Sequence, residues 1–151
     1  MQELDGDLIA LASAGEFDAI VHGCNCMGTM GAGIAKGIRA RFPAAYEADL
    51  ATPKGERAKL GTCSVATCAV EGGTCDVINA YTQFDFRGPG VLVDYEALAR
   101  CFAWVRERYS GKRIGLPRIG AGLAGGDWTR IARIVEEELR GEDVTLVLFA
   151  G

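Results

Sequence analysis

Two glycine-rich segments, each set between a β-like run and a stretch of helical period, constrain this chain more than any other feature. The first reads Gly28-Thr-Met-Gly31-Ala-Gly33-Ile-Ala-Lys36 and follows the run 18–24. The second reads Gly120-Ala-Gly122-Leu-Ala-Gly125-Gly126 and follows the run 113–117. A strand that turns into a helix through glycines exposes consecutive N–H groups, and the helix start adds about half a positive charge. Such a turn can hold phosphate without Lys or Arg. Neither segment carries the Gly-Lys-Ser/Thr of a P-loop, and neither is read as the turn of a dinucleotide fold. One cluster alone is as readily a tight turn; two sharing Gly-Ala-Gly can close over a single diphosphate.

The absence of a basic excess makes this local grip necessary. Against 20 acidic residues stand 16 basic ones, a formal net charge of −4, so strong non-specific binding to a nucleic-acid backbone is not expected. A chain of 151 residues, 49% hydrophobic, suits one domain spanning 1–151 with a sizeable core. No apolar run is long enough for a membrane span, and the segment from Met1 to Asp5 lacks the pattern of a signal peptide. The expectation is a cytoplasmic monomer with no membrane partner. In that compartment the six cysteines are read as reduced thiols. Cys24-x-Cys26 and the lone His22 have no second ligand pair at zinc-site spacing, so no metal is expected, and no cofactor.

Short β-like runs alternate with amphipathic stretches, which is the pattern of a layered α/β domain. Strands are expected over residues 2–8, 18–24, 63–70, 76–81, 113–117 and 144–149, with a hairpin turn at Glu71-Gly72-Gly73. Helices are expected over 31–42, 44–50, 93–109 and 128–140, with Pro43 ending the first and Gly141 the last. Leu98, Cys101, Phe102 and Val105 form one apolar face of the third, and Trp104 is assigned to the core. Residues 82–91 have no period and read as a loop over one end of the sheet.

At this point the sequence resembles the macrodomain family over nearly its whole length. Gly6-Asp7-Leu8-Ile9 is similar to the family's Gly-Asp-Ile-Thr start, and Ala19-Ile-Val-His22-Gly-Cys-Asn25 to its Ala-Ile-Val-Asn-Ala-Ala-Asn. Met30-Gly31-Ala-Gly33-Ile-Ala35 and Ile119-Gly120-Ala-Gly122 resemble its two phosphate loops. The resemblance is greatest to the branch holding terminal ADP-ribose glycohydrolases and yeast-type ADP-ribose-1″-phosphate phosphatases. It implies a three-layer α/β/α fold around a mixed sheet of about six strands, with a ligand cleft along the sheet's crest.

The resemblance also implies roles. Asp7 would accept a hydrogen bond from the adenine amino group, or else serve as a helix or turn cap. Phe149 would stack on adenine, or else pack in the core. Asn25 would bond the distal ribose hydroxyls, or else fix its loop through an Asx turn. Backbone amides of Gly31, Ala32, Gly33 and Ile34 would take one phosphate, and those of Gly120, Ala121, Gly122 and Leu123 the other. Leu8, Pro117 and Ile119 complete the ligand-binding set.

Chemistry at the distal ribose needs an activated water. The candidates beside Asn25 are His22, read either as a base or as a satisfied residue at the buried end of a strand, and Asp127, read either as a base or as the cap of the helix at Trp128. Two family features are missing. The stretch Ala80-Tyr-Thr-Gln83 has no lysine, and Gly122-Leu-Ala124 has no aspartate, which puts a covalent lysine mechanism in doubt. The ligand is expected to be ADP-ribose or an ADP-ribosylated substrate. Three functions remain open: an ADP-ribose-1″-phosphate phosphatase, a hydrolase removing ADP-ribose from protein or nucleic acid, and a non-catalytic reader.

Overall fold

The computed structural model describes residues 1–149. In chain order the elements are β1 (Gln2–Asp5), α1 (Leu8–Ser13), β2 (Ala19–Cys24), α2 (Gly33–Arg41), α3 (Pro43–Leu50), a 3₁₀ turn (Arg57–Lys59), β3 (Cys63–Val70), β4 (Gly73–Tyr81), α4 (Tyr95–Tyr109), β5 (Arg113–Leu116), α5 (Trp128–Glu138) and β6 (Asp143–Leu148). One sheet takes all six strands in the order β1-β6-β5-β2-β4-β3. Every neighbouring pair is parallel except β3 and β4, which form an antiparallel hairpin with Val70 opposite Gly73.

Alternation along the central strands divides the core in two. Ala19 and Val21 of β2, with Ile78 and Ala80 of β4, point to the face covered by α4 and α5, where the predicted stripe of Leu98, Cys101, Phe102 and Val105 meets them. Ile20 and Cys24, with Val77 and Tyr81, point to the face covered by α1, α2 and α3, against Ala12, Ile38, Phe42 and Ala45. The three layers expected from the resemblance are therefore present. Fully burying a side chain of this size contributes about 1.5–3 kcal/mol, so both faces hold the sheet between layers of helices. Trp104 packs against the first cluster from a half-buried position.

Several boundaries differ from expectation. β1 ends at Asp5 and not at residue 8, because Asp7 caps a helix that the pattern did not suggest; its Oδ1 accepts from the amides of Ile9 (2.9 Å) and Ala10 (3.1 Å). α1 is only six residues long and buries just Leu8 and Ala12, one turn apart, too short a repeat to stand out. Pro43 opens α3 at its first position instead of merely ending α2, since the proline there lacks only an N–H that would have had no partner. α4 begins at Tyr95 because Asp94 caps it through Ala97 N at 2.9 Å. The hairpin strand β4 starts at Gly73, three residues earlier than expected.

Candidate functional site

β2 and β5 lie side by side in the middle of the sheet, and each runs into a glycine loop. The loops diverge: β2 feeds α2 on one face, and β5 feeds α5 on the other. Where adjacent parallel strands send their connections to opposite faces, a crevice opens at their carboxyl ends. A cleft of about 690 Å³ stands there, a size suited to a dinucleotide-like molecule. Its walls are residues 23–25 and 29–35 on the β2 side, and residues 117–120 and 122–124 on the β5 side.

The first wall offers main-chain donors. Among the described residues, none of the amides of Gly31, Ala32, Gly33 and Ile34 donates a hydrogen bond. Gly33, with φ of +58°, makes the left-handed turn into α2 that a side chain would strain. The second wall is more internally bonded. Ala121 donates to the Arg118 carbonyl at 3.2 Å, and Gly126 to Gly120 at 2.8 Å, whereas the amides of Gly120, Gly122 and Leu123 have no acceptor among the described residues. Ala121 is thus the one predicted phosphate donor already engaged, and it does not line the cleft. Gly120, Gly122 and Gly125 stand at the Gly-x-Gly-x-x-Gly spacing that dinucleotide folds also use. α5 starts only at Trp128, so these glycines form a turn and not the opening of a helix.

Asn25 lines the cleft at the tip of β2. Its Oδ1 accepts from Met27 N at 2.8 Å and its Nδ2 donates to Thr29 Oγ1 at 2.9 Å, an Asx turn that braces the first loop. Pro117, Ile119 and Leu123 line the cleft as expected.

Asp7, Leu8 and Phe149 come together elsewhere, one strand beyond the second loop. Gly6 N bonds Leu148 O at 2.9 Å, setting the start of α1 beside the end of β6. There Asp7 is exposed and uses Oδ1 as a cap, Phe149 is 75% exposed, and the Leu8 side chain is in the core. None of the three lines the main cleft.

The two expected bases are not brought to the cleft. His22 is fully buried in the layer under α3. Its Nε2 lies 2.6 Å from Asn79 Oδ1, and Asn79 in turn donates to the Ala45 carbonyl at 2.9 Å and to Ser64 Oγ at 3.0 Å. Burial pushes its pKa down from 6.5 to about 4, against the opposing pull of Asn79 and of the Asp49 charge. The alternation of β2 explains the placement, since His22 shares a face with Ile20 and Cys24. Asp127 is exposed and caps α5 through Thr129 N at 3.0 Å, while its own amide donates to Tyr95 Oη at 3.0 Å.

All six cysteines are free, and burial raises the pKa of Cys24, which borders the cleft, so its thiol is a poor nucleophile. No helix among the described residues is long and apolar enough to cross a membrane.

The structure adds cleft residues that the sequence reading passed over. Arg118 brings a cation to the second wall; Gln83, Phe86 and Leu92 close the side formed by the irregular stretch after β4; and Asp49 enters from α3. Arg118 stood within the motif Pro117-Arg-Ile-Gly120 and could have been chosen there. Asp49 had no local signal, because nothing in an ordinary helix marks which residue meets a distant loop.

Comparison with known proteins agrees with this geometry. The chain is 38% identical over 138 residues, 88% of its length and 86% of the relative's, to a 17.5 kDa protein of the tk–vs intergenic region of Enterobacteria phage T4. It is 28% identical over 146 residues to a DNA ADP-ribosyl glycohydrolase of Mycobacterium tuberculosis, spanning 95% of this chain but 40% of that protein. Over 46 residues, 30% of this chain and 21% of the relative, it is 44% identical to an ADP-ribose 1″-phosphate phosphatase of Aspergillus oryzae. Among solved structures, the macrodomain of Mycobacterium tuberculosis DarG superposes with a TM-score of 0.73 at 24% identity, covering 98% of this chain and 97% of that one, a likeness of fold. The Macro domain family model matches residues 21–135, from within β2 into α5 and so across both glycine loops, and with a mixed sheet whose central crevice those loops enclose, this chain belongs to the Macro domain family.

Proposed function

We propose that this protein binds ADP-ribose along the crest of its sheet and hydrolyses a bond at the distal ribose of an ADP-ribose derivative. The observation that carries the binding reading is the pair of facing loops. Their unengaged amides converge on one cleft from two sides, which suits the two phosphates of a diphosphate in a protein with no basic excess.

Strand order is compatible with the roles that the family resemblance implies. Asp7 and Phe149 stand at the β1–β6 side, the glycine loops follow at β5 and β2, and Asn25 with Gln83 stands toward β4. With adenine at Asp7 and Phe149 and the second sugar at Asn25, as the family resemblance implies, the diphosphate falls between the loops. The Asp7 cap occupies only Oδ1, leaving Oδ2 for the adenine amino group. Titration calorimetry with ADP-ribose, ADP, NAD and ATP tests this reading; preference for ATP or NAD over ADP-ribose would overturn it.

The hydrolytic part is supported by the names of two relatives, a DNA ADP-ribosyl glycohydrolase and an ADP-ribose 1″-phosphate phosphatase. Our first reading is phosphate release from ADP-ribose-1″-phosphate, and the second is removal of ADP-ribose from DNA or protein. With His22 buried and Asp127 capping a helix, Asn25 is the predicted catalytic residue that faces the cleft. Phosphate release from ADP-ribose-1″-phosphate and ADP-ribose release from modified DNA and protein, run side by side, separate the readings. Tight binding with neither release would leave a reader of ADP-ribose.

A further inference from the structure

Asp49 lies on α3 with 1% of its surface exposed, and it borders the cleft. Its Oδ1 is held twice, by Tyr81 Oη at 2.7 Å and by Lys59 Nζ at 3.5 Å. Lys59 is itself buried, and its ammonium lies 4.2 Å from the centre of the Tyr81 ring. Oδ2 is buried and has no hydrogen-bond partner among the described residues. A carboxylate built only to pair with Lys59 would be expected to fill both oxygens, because each unpaired buried acceptor costs its lost hydration.

The place of Asp49 along the cleft follows from its bond to Tyr81. Tyr81 pairs with Cys24, the residue before Asn25, so Asp49 stands at the Asn25 end of the cleft. An ionised phosphate oxygen has no proton to give to Oδ2. A sugar hydroxyl is neutral and donates one proton, which matches an acceptor whose charge Lys59 already offsets.

We propose that Asp49 is a ligand-binding residue whose Oδ2 accepts a hydrogen bond from a hydroxyl of the sugar that follows the diphosphate, so that Asp49 selects ligands carrying that sugar. This rests on the ADP-ribose reading above. Lys59 and Tyr81 are then positioning residues that aim the carboxylate.

The test compares ADP-ribose, its 2″-deoxy and 3″-deoxy analogues, and ADP on the wild type and on Asp49→Asn, which is isosteric and offers an amide in place of one oxygen. The wild type should prefer ADP-ribose to one of the two analogues by about tenfold. In Asp49→Asn that preference should vanish, with ADP affinity kept within about twofold. An equal loss for ADP-ribose and ADP, or no loss for either, overturns the proposal. Wild-type binding of ADP but not of ADP-ribose overturns the underlying reading instead. Should Asp49→Asn fail to fold, a crystal of the wild type with ADP-ribose decides: a sugar oxygen within about 3.2 Å of Oδ2 supports the assignment, and a gap above about 4 Å refutes it.

Discussion

The Leu123 side chain reaches from the second glycine loop across the cleft until its Cδ1 lies 3.3 Å from the point where a Cβ on Gly33 would stand. The two loops therefore touch over the middle of the site, although 76% of the Leu123 surface is exposed. Leu123→Ala should leave the melting temperature almost unchanged and raise the ADP-ribose off-rate several-fold, read by stopped-flow displacement. Gly33→Val should lose affinity by at least about tenfold, because it forces a branched side chain into a left-handed turn and against Leu123.

Gly122 offers a cleaner probe of phosphate binding. A Cβ there meets no heavy atom within 4 Å and its backbone is not left-handed, so the fold accepts a side chain. Gly122→Val should melt within about 2 °C of the wild type yet bind ADP-ribose at least about tenfold more weakly, because its bulk stands in the cleft wall. Unchanged affinity by calorimetry would remove the second loop from the binding site.

His22 makes stability depend on pH. Its imidazole is held neutral in the fold, with a pKa near 4 against 6.5 for the free side chain, so between those values the unfolded chain binds more protons. The stability it contributes is complete above about pH 6.5 and falls as the pH drops toward 4, by at most on the order of 3 kcal/mol. His22→Gln should melt with a shallower slope than the wild type from pH 6.5 to 4.5, while turnover at neutral pH persists. Parallel melting curves would show that this group does not govern the slope.

Asp127 separates a cap from a base. Asp127→Ala should cost about 1 kcal/mol of stability through the lost bond to Thr129 N, and Asp127→Asn should cost little, because asparagine caps equally well. Both should retain turnover. A variant Asp127→Asn that melts like the wild type but loses activity would restore the carboxylate to the chemistry.

The salt link between Asp18 and Arg113 ties the start of β2 to that of β5, at the end of the sheet opposite the cleft. Arg113 side-chain and backbone hydrogen bonds hold the Asp18 pKa below its usual 3.8. Its contribution is present above that value and is lost as the pH falls through the lowered one. Since both side chains are partly solvated, Asp18→Asn should change the melting temperature only slightly at pH 7 and leave ADP-ribose affinity intact.

How much of this was legible in advance depended on whether the signal was local. The two loops were visible because glycines crowd at the ends of apolar runs, and α4 was visible because four apolar residues recur at helical spacing. α1 leaves no periodic signal because six residues give the pattern too little room, although a cap at Asp7 is legible in the sequence. Local sequence suits His22 equally as a base and as a buried residue, and the parity of β2 decides for burial: one residue earlier or later would face the other layer.

What the sequence by itself determined is the set of turns, faces and caps, because these follow from backbone freedom, side-chain period and hydrogen bonds within a few residues. Only the tertiary structure decided which groups share one space. The order of β5 beside β2 set the two glycine loops face to face, and the packing of α3 over Tyr81 carried Asp49 to the cleft from an otherwise unmarked helix. Those meetings depend on contacts between residues far apart in the chain, and no local pattern encodes a distance of that kind.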